Sequence, residues 1–325
     1  LLQNALEWSK NGSNIFYDSF VLETSFNKSA DEKLSIDKSD EVLKQIKRYL
    51  FESGLSPSAL NVLLNNPMDF LLFHILGLRE KEEVTFTIET STIGTIVHDT
   101  LENLYKPYVG KFSDKIKIET IKPKINQLLN DELVNYYSTA TLSSGRLNIL
   151  IPVLKKWINS FVSYDLNGRM VKDFKLIDLE QKYLAEISYN LSPFKIKGIV
   201  DRVEIVNGIP HLIDYKTGKV EQKDLNLKSA DLLELNPEKT KAYQLLFYTL
   251  LFHKSNTGYS DYTCSIYSFR NQKAGYINLK VDKSEIINSE ILDLFEEGLK
   301  NTIDQLLLKT DPIRLENFRY QKFEV

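Results

Sequence analysis

Hydrophobic positions along the chain change rhythm several times. Residues 1–50 are mostly polar (NKSADEKLSIDKSDE) and read as a surface segment followed by a helix near 40–52. Ser56-Pro57 predicts a helix start, with Ser as N-cap and Pro in the first turn. That helix stops before Asn65-Asn66-Pro67, and a second, PMDFLLFHILG, ends at Gly77. KEEVTFTIE (81–89) alternates as a strand does. Helical spacing follows over 91–105, about 117–137 and about 147–165. KLIDLEQKYLAEISY (175–189) reads as a strand, and after a loop over 217–236 the pattern Asn236-Pro237-Glu238 opens a helix through YQLLFYTLLF. DYTCSIYSFR and AGYINLKV predict two more strands, and a long helix near 283–309 closes the series. Helices thus flank a block of strands with one helix inserted among them. The expected class is α/β or α+β, a central mixed sheet flanked by helices with a helical N-terminal part.

Within the strand block, GIVDRVEIVNGIPHLIDYKTGK (198–219) carries two aspartates in an apolar setting, where acids are disfavoured. Asn207-Gly208 predicts a two-residue type I′ hairpin. Paired residues then sum to 415, so Val206 faces Ile209 and Asp201 comes level with Asp214. Pairs alternate between bonded and non-bonded, and Pro210, which has no N–H, falls at a non-bonded position. Two carboxylates at one level repel unless a proton or a cation lies between them. Lys216, two residues after Asp214, shares its face. A hard divalent cation such as Mg2+ suits such acids. The bland alternative is a solvated face on which Asp201 pairs with Arg202 or Lys197.

Composition narrows the partners. The 325 residues carry a formal charge of −3, so a polyanion would be gripped by a local patch rather than by the whole surface. Lys195, Lys197, Arg202, Lys216, Lys219, Lys223 and Lys228 cluster around the hairpin and the loop after it. A single cysteine, Cys264, excludes an internal disulfide, a zinc–thiolate site and an iron–sulfur cluster held by this chain, and a reducing cytoplasm fits it. No apolar run is long enough to predict a membrane span. The first residue is Leu, without the basic start of a signal peptide, and the chain reads as a piece of a longer one.

At the hairpin the sequence resembles the PD-(D/E)XK nuclease superfamily, and more narrowly the RecB/AddB-like exonuclease domain. GIVDR is similar to that family's G-x-x-D-R motif and IDYKTGK to its D-Y-K-T-G motif. GTIVHDTLENLY (94–105) resembles the upstream G-x-x-x-H-x-x-L-E helix, LSPSALNVLLNNPMDFLLFHILGL (55–78) the opening Ser-Pro-Ser segment, and YQLLFYTLLF (243–252) the Q-x-x-x-Y helix. The resemblance implies a restriction-endonuclease-like core over 55–325, with 1–54 an N-terminal segment or linker. It implies a Mg2+ or Mn2+ ion held by His98, Asp201, Asp214 and the Tyr215 backbone carbonyl, with Lys216 orienting the attacking water. Glu180 corresponds to a frequent acid of the family, and Gln244 and Tyr248 support the site or contact the DNA backbone, with Arg202 and Lys219 nearby. The implied activity is hydrolysis of DNA ends or single strands in repair or recombination, beside a helicase subunit or helicase region. The four cysteines of many AddB-like relatives are missing: Asn66 stands before Pro67, and no iron–sulfur cluster is expected.

Other motifs compete poorly. KTG also occurs in penicillin-binding enzymes, but SFNK (25–28) and SIDK (35–38) lie in polar sequence ahead of any fold. TGK lacks the preceding glycine of a phosphate loop. The rival from another class is a silent DNA-binding or scaffolding domain, against which the intact Asp201, Asp214 and Lys216 speak.

Overall fold

The computed structural model describes residues 35–78, 90–137, 146–171, 173–190, 192–308 and 311–314. The strand expected at 81–89 lies outside the described residues. α1 (Asp40–Arg48) starts at Ser39, whose hydroxyl accepts from the Val42 N–H, and its helical path continues to Ser53. α2 (Pro57–Asn65) has Ser56 as N-cap and Pro in its first turn, and a further helical turn over 67–75 ends ahead of Gly77, whose φ is +65°. α3 (Thr90–Tyr105), α4 (Ile118–Tyr136) and α5 (Arg146–Ser163) follow as their periodicity predicts.

The strands β1 (Lys175–Ile187), β2 (Phe194–Val206) and β3 (Ile209–Lys216) form an antiparallel meander. Asn207 and Gly208 both have positive φ, +52° and +83°, as a type I′ turn requires. The ladder runs from Val206↔Ile209 to Arg202↔Ile213 in the expected register, with Ile205 facing Pro210. α6 (Thr240–Ser255) then crosses over and returns the chain to β4 (Asp261–Ser268), which lies parallel to β3. Parallel neighbours need such a crossover. β5 (Tyr276–Asn278) pairs with β4 on its other side, and β6 (Ile287–Asn288) pairs with its start.

The last helix, α7 (Ser289–Leu307), begins later than residue 283. Asp282 and Lys283 have positive φ, and it is Asn288 whose side chain accepts from the Ile291 N–H. AGYINLKV likewise breaks into two short strands, over 276–278 and 280–281.

Two cores sandwich the sheet. On one face Val200, Val203, Leu212 and Ile266 pack with α1, α2, α6 and α7. On the other, Ile213, Tyr215, Tyr267 and Phe269 pack with α3, α4 and α5. α6 is buried along almost its whole length, which explains why its hydrophobic residues show no one-sided periodicity. The described part of 1–54 joins the same core, with Ile46 and Leu50 fully buried.

Candidate active site

At the end of the hairpin the backbone ladder gives way to side chains. Beyond Arg202↔Ile213 the β2–β3 pairing stops, and the Tyr215 N–H donates instead to Asp201 Oδ2 at 2.7 Å. Asp201 thus turns toward β3 and takes a backbone donor that a longer ladder would have used. β1 delivers a third acid. Leu179 pairs with Arg202 and Gln181 with Val200, so Glu180 comes level with Asp201. Its φ of +43° lies in the left-handed region, which costs about 1–2 kcal/mol for a residue with a Cβ.

α3 supplies the base that joins them. His98 Nε2 lies 2.9 Å from the Tyr215 carbonyl oxygen, while Nδ1 lies 3.2 Å from Glu180 Oε1 and 3.5 Å from Asp201 Oδ2. Burial disfavours the imidazolium, but Asp201 and Glu180 outweigh it and raise His98 to about 10. Without a cation both ring nitrogens therefore donate at neutral pH, and His98 has to release one of these protons before it can ligate a metal. His98, Glu180 and Asp201 each place a ligand atom within 4.8 Å of the others.

Asp214 is buried beside them. Lys216 Nζ donates to its Oδ1 at 2.9 Å, while Oδ2 is buried without a hydrogen-bond partner. Burial, then the neighbouring Asp201, pushes Asp214 up to about 6. Burial also raises Asp201, against the pull of His98. Lys216 moves up as well: burial opposes its charge, but Asp214 and Asp201 hold the proton. It is an ammonium at neutral pH, a donor rather than a base. On α6, Gln244 Nε2 donates to Tyr248 Oη at 2.8 Å, and both residues line the cavity into which Lys216 opens.

These residues can hold a hard cation. Carboxylates, a carbonyl and an imidazole are donors for Mg2+ or Mn2+. The unpartnered Asp214 Oδ2 is the kind of buried oxygen that such an ion satisfies.

The sequence model of the PD-(D/E)XK nuclease superfamily matches residues 54–319. The chain belongs to that superfamily. Its mixed sheet with flanking helices is the superfamily's restriction-endonuclease-like α/β fold. Among curated relatives, an uncharacterized protein of Rickettsia conorii is 31% identical over 60% of this chain and 24% of its own length. An uncharacterized protein of Rickettsia felis is 31% identical over 54% of this chain and 20% of its own length. An ATP-dependent helicase/deoxyribonuclease subunit from Alkaliphilus oremlandii is 25% identical over 55% of this chain and 17% of its own length. The chain spans a quarter or less of the length of these relatives.

Two expected DNA-contacting residues stand elsewhere. Arg202 has no exposed surface. It follows Asp201 by one residue, and its side chain enters the core on the α5 side of the sheet. There Nη1 meets Asp165 Oδ2 at 3.0 Å and Nη2 meets Glu204 Oε2 at 2.8 Å. Arg169 pairs with the same two acids, His211 Nδ1 lies 3.3 Å from Glu204 Oε1, and Tyr105 and Tyr276 donate to Asp165. Arg202 is therefore a buried structural cation and cannot touch DNA. Lys219 is exposed but pairs with Glu221, which also holds Lys223 at 3.1 Å, and it does not line the cavity.

Sequence reading missed the buried ionic cluster. Strand parity was the available signal, since Arg202 and Glu204 both lie on the opposite face from Val203 in an apolar strand.

Proposed function

We propose that this chain is a Mg2+- or Mn2+-dependent deoxyribonuclease, acting on DNA ends or single strands and working in repair or recombination beside a helicase. The observation that carries the reading is the cluster of His98, Glu180 and Asp201, whose ligand atoms lie within 4.8 Å of one another, beside the unpartnered Asp214 Oδ2 and its charged lysine. His98, Asp201, Asp214 and the Tyr215 carbonyl would hold the cation, with Glu180 closing the shell through His98. Such a cation supplies positive charge opposite a scissile phosphate and acidifies a water.

The chain's own residues do the rest. Tyr215 N–H fixes the Asp201 carboxylate, and His98 fixes the Tyr215 carbonyl. Asp214 holds the Lys216 ammonium at the mouth of the cavity, which leaves its remaining protons for a water or a phosphate oxygen. No side chain need act as nucleophile. Gln244 and Tyr248 form the opposite wall and present an amide and a hydroxyl to the substrate backbone. The Alkaliphilus relative, named a helicase/deoxyribonuclease subunit, supports the DNA substrate and a helicase partner. Cys264 is buried in β4, where burial pushes its thiol up to about 12.

Incubation with end-labelled linear DNA, with and without Mg2+ or Mn2+, tests the proposal. Cleavage should require the metal, and Lys216→Ala should slow it by roughly 10²–10³-fold, the usual loss of one electrostatic donor. Asp214→Ala should abolish it. Unchanged cleavage in both variants would refute the site, and no cleavage with either metal would favour the scaffolding reading.

A further inference from the structure

The cavity that opens at Lys216 continues for about 930 Å3 between β1, β2 and the first turns of α2 and α6. Its floor is a gap in the sheet. The β2–β3 ladder ends at Arg202↔Ile213, and on that same edge of β2 the next partner is Leu55, bridged to Ile196. Gly198 lies in the gap, and a Cβ there would come within 2.9 Å of Leu251 Cδ1 and 3.4 Å of Tyr248 Cε1.

Along this floor β1 and β2 pair Lys182 with Ile199 and Leu184 with Lys197. Directly paired residues share a face, and next-but-one residues do too. Two ammoniums and two aliphatic side chains therefore form a chequered patch on the cavity wall. Leu184 is 62% exposed and Ile199 42% exposed. Two other lysines of the cavity are already paired, Lys216 with Asp214 at 2.9 Å and Lys241 with Asp224 at 3.0 Å. Among the described residues no carboxylate pairs with Lys182 or Lys197.

We propose that this patch is the track along which an unpaired DNA strand reaches the acidic site. Lys182 and Lys197 hold its backbone phosphates, and Leu184 and Ile199 take the exposed faces of its bases. The assignment rests on the hydrolase reading above and names its substrate as single-stranded. A duplex stacks its base faces inward and would leave both aliphatics wet, whereas an open strand offers phosphate and apolar base together, the combination that single-strand binders exploit.

Fluorescence anisotropy tests the track without turnover. A labelled single-stranded oligonucleotide and a hairpin duplex of equal length are titrated in EDTA with wild type and with Lys182→Gln/Lys197→Gln. Loss of two phosphate contacts should lower the slope of log affinity against log salt by about 1.4, at 0.7 per contact for single strands. Affinity for the single strand should fall about tenfold at 0.1 M salt, while duplex affinity changes less than twofold. Leu184→Ser/Ile199→Ser should weaken single-strand binding with the salt slope unchanged. The single-lysine variants carry the same test, at half the slope change, should a double variant fail to melt cooperatively. An unchanged slope, or equal losses on duplex and single strand, overturns the track. Metal-dependent cleavage by wild type alongside an unchanged slope removes the track and leaves the hydrolase. Lysine-dependent binding without cleavage keeps the track and removes the hydrolase.

Discussion

Replacing Arg202 with Met should unsettle the whole domain rather than its affinity for DNA. In the wild type two arginines, Arg169 and Arg202, balance two fully buried acids, Asp165 and Glu204. Arg202 also lies over the rings of Tyr105 and Phe174, at 4.8 and 4.9 Å. Methionine fills much of the volume but leaves one carboxylate charge uncompensated in a dry site. Breaking a buried pair from one side costs about 3–5 kcal/mol. At 2–4 °C per kcal/mol for a domain of this order, the melting temperature should fall by roughly 10 °C. The loss should also acquire a pH dependence. Burial pushes Glu204 up and Arg202 is the main charge that holds it below the ordinary carboxylate range, so without Arg202 the Glu204 carboxyl takes a proton more readily. A buried carboxyl that binds its proton more tightly folded than unfolded adds stability at low pH and loses it as pH rises. The variant should therefore be less destabilised at pH 5.5 than at pH 8.5, and Asp165→Asn added to it should recover part of the deficit at pH 8.5. Urea melts of the three proteins at both pH values measure this. A loss below about 1 kcal/mol, well short of the buried-pair cost, or a loss that ignores pH, would refute the argument.

Asp214→Asn should raise the stability of the metal-free protein above pH 7 while abolishing cleavage. Holding Asp214 at about 6, against 3.8 unfolded, means that ionising it costs the fold roughly 3 kcal/mol. The stability that goes with a raised carboxyl is present at low pH and lost as pH rises through 6, so the gain should vanish near pH 4; an Asn variant less stable at pH 8 than at pH 4, relative to wild type, contradicts this. Gly198→Ala should destabilise by about 1–2 kcal/mol through the contact with Leu251 and should slow cleavage by displacing Tyr248; calorimetry and the end-label assay report the two effects. Cys264, fully buried and with its thiol pushed up to about 12, should resist thiol reagents in native buffer and react at once in denaturant.

Much of the centre of the fold was legible because local chemistry fixed it. The Asn207-Gly208 turn sets the hairpin register, and Pro210 agrees with it by lacking the N–H that its position does not need. Ser56, Asn236 and the crossover helix likewise announce themselves through caps and prolines. Three features did not. The ion cluster joins Arg202 to Asp165 across 37 residues, a separation that no periodicity encodes. The stop of the ladder at Arg202 depends on the Asp201 carboxylate capturing a backbone N–H, which a pairing rule alone cannot foresee. The start of α7 was masked because Ser284-Glu285 resembles an N-cap as well as Asn288 does, and only the turn at Asp282-Lys283 decides between them.

The bridge from Leu55 to Ile196 sets where this domain can be cut. Leu55 N–H bonds the Lys195 carbonyl and the Lys197 N–H bonds the Leu55 carbonyl, both at 2.9 Å, so the approach to α2 is stitched to β2 itself. Ahead of it, Ile46 and Leu50 fill the core beneath, and Ser35–Ile36 pairs with Ile313–Arg314. Trimming to residue 55, where the family motif begins, would free one border of the cleft and open a hole under it. An expression boundary that respects the described fold runs back at least as far as residue 35.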